Sequence, residues 1–277
     1  MNNIVLITGA TGFIGRQVAN EVSKLGYQVR VVCRPSSNLS VLNDAVIEKV
    51  VLTEDLFSED SCWWHLALEG VYAVIHLAWY VEPKLYIDSP KNISCLKGTL
   101  ALAEACSASN ITQFIGAGTC LEYERSDLPL GIDSPLIATN AYTAAKISCY
   151  WNLKYLFSNT SISFSWCRFF YLYGEGEDRR RLVPYVHDQL LAENKVFVAN
   201  PDLIRDFLDV KLAGKLVAKV LSNNKSGAVN ICSGVAESVR EIVEKIAKSY
   251  GRYDLLTFGE RNANVNEPPV VLGICNI

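Results

Sequence analysis

The sequence has no pair of cysteines spaced as Cys-x-x-Cys. Its nine cysteines are odd in number and lie scattered along the chain, at positions 33, 62, 95, 106, 120, 149, 167, 232 and 275. Zinc and iron–sulfur sites need clustered cysteines, and a disulfide scaffold needs paired ones. We therefore expect reduced cysteines and no metal site.

No apolar stretch approaches the roughly 20 residues that a helix needs to cross a bilayer. The most apolar internal segment, residues 71–81, is short and is interrupted by His76. The N-terminus passes from Met1, Asn2 and Asn3 directly into the apolar residues 4–7, without the basic region or the small-residue cleavage site of a leader peptide. These features predict a cytoplasmic protein that does not contact a membrane.

Positive charge is not in excess either. The 26 Lys and Arg residues are outnumbered by 29 Asp and Glu residues, so the formal net charge is −3. This balance argues against a nucleic-acid-binding surface. With 20% charged and 50% hydrophobic residues and no glycine period of three, the composition excludes disordered and fibrous proteins. It is typical of a globular protein with one large domain or two modest ones.

Short apolar runs alternate with helical patterns over the first part of the chain. After the first run, Ile14, Val18, Val22 and Leu25 recur at helical spacing, and Gly26 follows as a stop. The runs are continuous in apolarity, as in strands covered on both faces. They lie at residues 3–8, 29–33, 50–52, 71–77, 113–116 and 163–170. This alternation predicts an α/β fold with a parallel sheet.

A glycine-rich turn follows the first predicted strand and opens the first helix. Residues 8–15 read Thr-Gly-Ala-Thr-Gly-Phe-Ile-Gly. Glycines allow a tight turn and let the backbone approach a pyrophosphate, while the helix N-terminus supplies free N–H groups and a positive dipole. In this context the turn predicts a dinucleotide-binding site. Its residues are Gly9, Thr11, Gly12, Phe13, Ile14 and Gly15.

The end of the second predicted strand carries no carboxylate. An Asp or Glu at this place would bind the adenosine ribose and disfavour a 2′-phosphate, but here Cys33 is followed by Arg34. The Arg34 guanidinium offers charge-assisted hydrogen bonds to a phosphate, with Ser36 and Ser37 beside it. The pattern favours NADP as the cofactor. If Arg34 is only a solvated surface residue, NAD stays open.

Three Tyr-x-x-x-Lys pairs occur in the chain: Tyr80/Lys84, Tyr142/Lys146 and Tyr150/Lys154. Tyr80 lies on a predicted loop, and Tyr150 lies deep in a predicted helix, where a core or subunit-contact role is expected. Tyr142 stands at the entrance of that helix, downstream of a strand that ends in Thr119. Only the Tyr142/Lys146 pair is therefore placed to reach a cleft with a second hydroxyl group.

These three side chains predict acid–base chemistry. We assign Tyr142 as the general acid or base, Lys146 as its electrostatic partner and ribose ligand, and Thr119 as a hydrogen-bond donor to the same substrate oxygen. A tyrosine has an ordinary pKa of about 10. We expect the Lys146 ammonium and an oxidised nicotinamide to lower the pKa of Tyr142, while the cofactor carries the hydride.

With these segments, the chain resembles an extended short-chain dehydrogenase/reductase of the NAD(P)-dependent sugar-nucleotide epimerase/dehydratase family. The matching segments are residues 8–15, 55–56, 74–78, 98–99, 118–123, 142–146, 168 with 172–174, and 205–210. The resemblance implies a Rossmann fold, in which a doubly wound parallel sheet is joined by a smaller C-terminal substrate lobe. It also implies an oxidoreductase that acts on a nucleotide-diphosphate sugar.

The resemblance extends the predicted cofactor site. It implies that Asp55 and Leu56 contact the adenine and that Leu77 and Ala78 line the cofactor. It further implies a homodimer joined by the helices near residues 94–108 and 142–157.

The resemblance also implies substrate contacts. Arg205 would bind the diphosphate of the sugar nucleotide, and Thr119 would bind the reacting oxygen. Tyr171 stands where many relatives carry an asparagine near the substrate phosphate, so its contacts are expected to differ. The arginines at 179–181 would either bind the diphosphate or belong to a solvated loop.

The residues after Thr119 separate the reactions of the family. Dehydratases carry an Asp-Glu pair at this place, whereas Cys120 and Leu121 occupy it here, and Glu122 is expected to point elsewhere. Dehydration therefore does not fit. Two enzyme reactions stay open: NADPH-dependent reduction of a nucleotide-linked 4-keto-6-deoxyhexose, which Arg34 favours, and NAD-dependent 4-epimerisation of a nucleotide sugar. A non-catalytic dinucleotide sensor or scaffold is the third alternative.

A charged, glycine-containing loop at residues 174–181 marks a change in composition. We predict a dinucleotide-binding Rossmann domain over residues 1–173, to which residues 206–232 return. The predicted substrate-binding lobe comprises residues 174–205 and 233–277, with an amphipathic helix near residues 238–250. Because relatives commonly continue further, we expect this lobe to be incomplete at Ile277.

Overall fold

A computed structural model describes residues 3–42, 44–259 and 267–277. The strands in these ranges are β1 (Ile4–Thr8), β2 (Gln28–Cys33), β3 (Ile47–Leu52), β4 (Val71–His76), β5 (Gln113–Thr119), β6 (Ser163–Phe169), β7 (Tyr171–Tyr173), β8 (Val196–Ala199), β9 (Ile204–Asp209), β10 (Gly227–Ile231), β11 (Ala236–Ser238), β12 (Leu256–Gly259) and β13 (Val270–Val271). The helices are α1 (Phe13–Lys24), α2 (Ser61–Ala67), α3 (Lys91–Ser107), α4 (Ala141–Ser158), α5 (Leu182–Leu191), α6 (Val210–Ser222) and α7 (Val239–Tyr250).

The main sheet is a doubly wound parallel sheet. Within the described residues it has seven strands in the spatial order β10-β6-β5-β4-β1-β2-β3. Each neighbouring pair is parallel. The predicted fold class is confirmed, and all six predicted strands are present. β10 was not predicted as a strand, although it completes the sheet beside β6.

Helices cover both faces of this sheet. On one face α1 and α6 pack together, and Val18 and Val22 of α1 meet Val217 and Leu221 of α6 in one buried cluster. The opposite face is covered by α2, α3 and α4. Burying each such side chain contributes about 1.5–3 kcal/mol, which explains the continuous apolarity of the strands. None of the helices in the described ranges is long and apolar enough to span a bilayer.

The strand order reverses between β1 and β4, which places a crevice at the carboxyl ends of these strands. The glycine-rich turn leaves β1 there, Leu77 follows β4, and Thr119 ends β5. Residues that lie far apart in the sequence therefore meet at one edge of the sheet.

A smaller layer lies beside the main sheet. β7, β9, β11 and β13 form a mixed sheet, and β8 pairs with β12. With α5 and α7 they enclose a separate core that includes Val186, Val198 and Val243. The predicted late helix is α7, which begins after a capping box formed by Ser238 and Glu241. β9 crosses the predicted boundary at residue 205, and the division into two lobes stays a prediction.

Candidate active site

The three glycines of the glycine-rich turn present backbone atoms without side chains. Gly12 is the N-cap of α1, and its amide donates to the Gly9 carbonyl at 3.0 Å. A Cβ added at Gly15 would lie 2.0 Å from the Gly9 oxygen, and one added at Gly9 would lie 2.9 Å from the amide nitrogen of Ala78. Side chains are thus excluded where the turn meets the end of β4. The turn and the free amides at the start of α1 fit the pyrophosphate of a dinucleotide.

The other predicted residues of the turn surround these glycines. Thr11 is partly exposed between the glycines, and Phe13 begins α1. The Ile14 side chain packs against the core under the sheet. Beyond β4, Leu77 and Ala78 are partly exposed at the crevice, and the Leu77 amide donates to the Thr8 carbonyl at 3.2 Å.

The end of β2 carries a neutral thiol and an exposed cation. Cys33 is buried, and burial raises the pKa of its thiol above the ordinary value. Arg34 is exposed, and its carbonyl accepts from the Ser37 amide at 2.9 Å. A 2′-phosphate would meet no carboxylate at Cys33, since the side chain there is an uncharged thiol.

Asp55 and Leu56 follow β3. The Asp55 carboxylate accepts hydrogen bonds from the Phe57 amide at 3.1 Å and the Ser58 hydroxyl at 2.9 Å. Leu56 packs against the core that includes α3. The Asp55 side chain therefore stabilises this turn whether or not an adenine lies beside it.

Tyr142 and Thr119 meet at the carboxyl edge of β5. Asn140 caps α4 by accepting from the Thr143 amide at 2.9 Å, which places Tyr142 in the first turn of the helix. The Thr119 side chain lies close enough to the Tyr142 phenol to act on its pKa. The Tyr86 ring lies at 89° to the Tyr142 ring, with 4.9 Å between centroids. The predicted Tyr–Thr pair is thus present in a largely buried place.

In this structure the pKa of Tyr142 is raised rather than lowered. Burial raises the pKa of the phenol well above its ordinary value, and Tyr86 and Glu122 add to the effect. Thr119 acts in the opposite direction, and its effect is smaller. The expected lowering by Lys146 and an oxidised nicotinamide stays a prediction for the enzyme with its cofactor, and it left out the removal of water around the phenol. Tyr142 is therefore protonated at neutral pH.

Lys146 lies one turn further along α4 and is also buried. Its ammonium donates to the Ala117 carbonyl at 2.7 Å and lies 3.7 Å from the centroid of the Trp79 ring. The Tyr142 centroid is 5.9 Å away. Burial lowers the pKa of Lys146 to about 8. The Lys146 ammonium is thus held near the Tyr142 ring by contacts with other groups.

The other two Tyr-x-x-x-Lys pairs lie outside this group. Tyr150 is buried beside Phe164 and Trp166 in the core under α4, as predicted. Tyr80 lies on the loop after β4, with the Lys91 ammonium 4.5 Å from its ring centroid.

A hydrogen-bonded histidine behind the crevice was missed by the sequence analysis. Thr8 and Thr99 flank the His76 ring, with Oγ1 atoms 2.8 Å from Nδ1 and 2.9 Å from Nε2. The Thr99 hydroxyl donates to the Cys95 carbonyl at 2.7 Å, so Nε2–H donates to Thr99. Burial and the nearby Lys146 lower the pKa of His76 to about 3. A neutral histidine thus ties β1, β4 and α3 together.

Glu122 anchors the strand end at Thr119. Its carboxylate accepts from the Arg168 Nε at 2.7 Å, the Trp166 indole at 3.0 Å and the Thr119 amide at 2.9 Å. Both charged side chains are buried. The prediction that Glu122 points away from the crevice is confirmed. Sequence spacing offered no signal for the pairing with Arg168, which lies 46 residues away.

The predicted substrate residues lie beside β9. Arg205 is buried, and its guanidinium donates to the carbonyls of Ile204 at 2.8 Å and Pro268 at 3.0 Å and to the Glu267 carboxylate at 2.8 Å. Its guanidinium carbon lies 5.2 Å from the centroid of the Tyr171 ring. Arg205 is thus engaged by the protein in this structure.

Tyr171 lies beside Arg205 and packs against the buried cluster that contains Cys120, the residue after Thr119. Burial raises the pKa of its phenol, with Cys120 and Tyr86 among the neighbours that act on it. The structure therefore places Tyr171 near the Thr119 end of β5.

Two of the three consecutive arginines form ion pairs on the surface. Arg179 pairs with Asp188, and Arg180 pairs with Asp178 and with Glu82 at 2.9 Å. These contacts agree with the solvated charged loop that was one of the two predicted alternatives.

Comparisons with known proteins agree with this arrangement. A family model described as "NAD dependent epimerase/dehydratase family" matches residues 5–232. The chain is 24% identical over 248 residues to "dTDP-6-deoxy-L-talose 4-dehydrogenase (NAD(+))" of Aggregatibacter actinomycetemcomitans, covering 87% of this chain and 88% of that protein. It is 27% identical over 292 residues to the UDP-glucose 4-epimerase of Bacillus subtilis (strain 168), covering 93% and 85%.

A solved structure shows the same fold. The UDP-glucose 4-epimerase of Thermus thermophilus in complex with NAD superposes with a TM-score of 0.83 at 19% identity. The match covers 98% of this chain and 90% of that chain.

Proposed function

Because the chain belongs to the NAD-dependent epimerase/dehydratase family, we propose that it is an NADPH-dependent reductase of a nucleotide-linked 4-keto-6-deoxyhexose. One observation carries this proposal: Tyr142 in the first turn of α4 and Thr119 at the end of β5 lie together at the crevice, and neither Cys120 nor Leu121 beside them is a carboxylate. Reduction of a ketone needs a proton donor at its oxygen, and a protonated phenol meets that need.

We propose that the glycine-rich turn holds the cofactor. The backbone of Gly9, Gly12 and Gly15 would face the pyrophosphate, and Leu77 and Ala78 would line the nicotinamide half. When bound, NADPH supplies the hydride.

The adenosine half extends this site to the ends of β2 and β3. Arg34 would bind the 2′-phosphate, and Asp55 and Leu56 would contact the adenine. The neutral Cys33 thiol supports NADPH, since a carboxylate there would repel the extra phosphate.

Proton transfer is the task of this chain's own residues. Thr119 donates a hydrogen bond to the ketone oxygen, and Tyr142 gives its phenolic proton to that oxygen as the carbon accepts the hydride. The C=O double bond becomes a C–OH group, and Tyr142 is left as a phenolate. The Lys146 ammonium stabilises that phenolate from beside it. Solvent returns the proton to Tyr142 after product release.

The residues that follow Thr119 offer no free carboxylate, which supports reduction over loss of water. Burial raises the pKa of Cys120 to about 12, so its thiol is protonated. The Glu122 carboxylate is bound by Arg168. Neither Cys120 nor Glu122 is therefore available to remove or donate a proton at a neighbouring carbon.

We further propose that Arg205 and Tyr171 bind the diphosphate of the substrate. Binding would require the guanidinium to exchange the Glu267 carboxylate for phosphate oxygens. Glu267 can leave the guanidinium because its own side chain is 40% exposed to solvent. The relative with a dTDP-linked 6-deoxy sugar in its name supports a deoxysugar nucleotide as the substrate.

A 4-epimerase is the second candidate. Arg34 is exposed, and within the described ranges its side chain has no hydrogen bond or ion pair that would orient it toward a phosphate. A guanidinium that is not oriented favours the epimerase, since its NAD cofactor has no 2′-phosphate to bind. An epimerase would use the same Tyr142, Thr119 and Lys146 in both directions and would keep NAD bound. The similarity to a UDP-glucose 4-epimerase supports this candidate.

The two candidates differ in what the purified protein carries. The protein is purified without added nucleotide, denatured, and the released molecules are identified by mass. An empty site or NADP supports the reductase, and stoichiometric NAD or NADH supports the epimerase. Turnover of dTDP-, UDP- and GDP-linked 4-keto-6-deoxyhexoses with NADPH then tests the reductase directly. Binding of a dinucleotide without turnover of any sugar nucleotide would leave a sensor or scaffold.

We also propose a cytoplasmic homodimer joined through α3 and α4. Trp151 and Tyr155 on α4 and Ile93 on α3 are large apolar residues that are exposed in the single chain. Light scattering of the purified protein tests the dimer, and Tyr155→Glu is expected to yield monomers.

A further inference from the structure

The Trp79 indole covers the Lys146 ammonium. The Lys146 Nζ atom lies 3.7 Å from the centroid of the Trp79 ring. Resting on the function proposed above, we propose that Trp79 is a positioning residue of this active site. It holds the Lys146 ammonium against the Ala117 carbonyl, beside the phenol of Tyr142. Trp79 follows Ala78 directly, so the indole lies at the edge of the surface offered to the cofactor.

The buried cation has few other partners. Lys146 is 3% exposed, and its ammonium donates one hydrogen bond, to the Ala117 carbonyl at 2.7 Å. Among the described residues no carboxylate forms an ion pair with it. The centroid of the Trp166 ring lies 5.7 Å from the Lys146 Nζ atom. Aromatic faces attract a desolvated cation through their quadrupole, so the ring of Trp79 is the nearest compensation for the charge.

The indole is itself fixed by hydrogen bonds. Its Nε1–H donates to the Asn92 side-chain oxygen at 2.9 Å. Asn92 is fully buried, and its amide nitrogen donates to the carbonyls of Tyr86 at 2.6 Å and Ser89 at 3.0 Å. These two acceptors determine which way the amide faces. Trp79 therefore cannot rotate away from Lys146 without leaving a buried oxygen of Asn92 unpaired.

Ring contacts link the Trp79 indole to Tyr142. The Trp79 and Tyr142 rings meet edge to face with centroids 6.4 Å apart, and Phe57 packs against the other edge of Trp79 at 6.4 Å. The titratable groups that act on Lys146 or respond to it come from four elements around it: Tyr142 and Cys149 on α4, Cys95 on α3, His76 on β4 and Glu122 after β5.

Indole fluorescence gives a test that needs neither cofactor nor substrate. The emission of Trp79 is obtained by subtracting the spectrum of Trp79→Phe from that of the wild type between about pH 6.5 and pH 9.5. Loss of the Lys146 proton removes a cation from the ring face, so this emission should change with a midpoint near the pKa of about 8. Lys146→Met should abolish the change. An emission that is flat in this range, or that changes equally in Lys146→Met, overturns the proposal.

Kinetics provide the second arm of the test. Trp79→Leu should lower kcat/KM with NADPH and the 4-keto sugar by about 30-fold, the effect of losing a desolvated cation–π contact of about 2 kcal/mol. It should also shift the basic limb of the pH profile to higher pH, because water then reaches the ammonium. Trp79→Phe should recover most of the rate. An unchanged pH profile in Trp79→Leu contradicts the positioning role, even if the rate falls.

A matched control is available on the loop after β4. The Lys91 ammonium lies 4.5 Å from the centroid of the Tyr80 ring. Tyr80→Leu removes an aromatic ring beside a lysine other than Lys146 and should leave the pH profile unchanged. If the protein turns over no sugar nucleotide, the fluorescence arm still decides whether Trp79 holds Lys146. The failure of the proposed function is thus distinguishable from the failure of this inference.

Discussion

The Arg168 guanidinium and the Glu122 carboxylate form a buried ion pair, with 2.7 Å between Nε and Oε2. The carboxylate also accepts a hydrogen bond from the amide of Thr119, so this end of β5 is tied to a buried charge pair. The Tyr123 hydroxyl accepts from Arg168 and donates to Asn230, which extends the network to β10. The geometry of the crevice thus depends on buried groups behind it.

Removing the carboxylate charge should destabilise the fold. Glu122→Gln leaves Arg168 buried without its counter-ion, and breaking a buried pair costs about 3–5 kcal/mol. Urea denaturation followed by circular dichroism measures the loss. The surface pair of Glu21 and Lys24, also at 2.7 Å, provides the control. Glu21→Gln should change the free energy of unfolding by less than about 1 kcal/mol, and equal losses in both variants would contradict the role of burial.

Tyr142→Phe should abolish reduction while leaving cofactor binding intact. Loss of a positioned proton donor lowers kcat by about 100-fold to 10,000-fold, whereas NADPH should still quench intrinsic fluorescence with the wild-type affinity. Tyr80→Phe, in the Tyr-x-x-x-Lys pair on the loop after β4, should keep the wild-type rate. Full activity of Tyr142→Phe would refute the assignment of Tyr142 as the acid.

Arg34→Ala should distinguish the two cofactors. Charge-assisted hydrogen bonds to a phosphate contribute about 1.5–3 kcal/mol, so the Kd for NADPH should rise about 10-fold to 100-fold. The Kd for NADH, which has no 2′-phosphate, should stay the same and serves as the internal control. A parallel loss for both nucleotides would mean that Arg34 contributes to folding rather than to the choice of cofactor.

Acid should weaken the protein through His76. The pKa of this ring is about 3 in the fold and about 6.5 when unfolded. Below about pH 6.5 the unfolded chain takes up a proton that the folded chain does not, so stability is lost as the pH falls from about 6.5 to about 3. By pH 5 the loss is about 2 kcal/mol.

The acid loss is measured by urea denaturation at about pH 7 and pH 5 in the wild type and in His76→Gln. The variant lacks the titrating ring and should lose about 2 kcal/mol less than the wild type between these two pH values. Substitution of the exposed His65 by Gln should leave the wild-type loss in place. The same loss in His76→Gln would contradict the prediction.

Gly15→Ala should prevent dinucleotide binding. The added Cβ would lie 2.0 Å from the Gly9 oxygen, so the turn would have to open. Isothermal titration with NADPH and NADH should detect no binding. At Gly131 a Cβ would meet only the end of the Ile274 side chain at 3.7 Å. Gly131→Ala should therefore bind as the wild type does, and binding by Gly15→Ala would show that the turn is not the pyrophosphate site.

Much of the fold could be predicted because the signals are local. Each of the six predicted strands is a continuous apolar run, and strands covered on both faces need such runs. β10 escaped prediction because its residues, Gly227–Ile231, are few and include Asn230. The Asn230 side chain is satisfied by Tyr123 and by the carbonyls of Leu130 and Ile274, partners that only the folded chain supplies.

The candidate site could be predicted only in part. The glycine-rich turn and the Tyr142/Lys146 spacing lie within single segments, and their chemistry follows from residue type. The direction of the pKa shift of Tyr142 could not be predicted, because it depends on how completely Tyr86 and its other neighbours remove water. The covering of Lys146 by Trp79 was equally hidden, since the two residues come from different elements.

The sequence by itself determined six strands of the main sheet, the first helix, the glycine-rich turn and the residue types of the candidate site, since periodicity, backbone conformation and side-chain chemistry are properties of short segments. Tertiary structure decided which side chains share buried space. His76 meets Thr8 from 68 residues away, and Glu122 meets Arg168 from 46 residues away. Charge, protonation and orientation in the crevice depend on those distant neighbours, because electrostatic interactions become strong only where folding has excluded water.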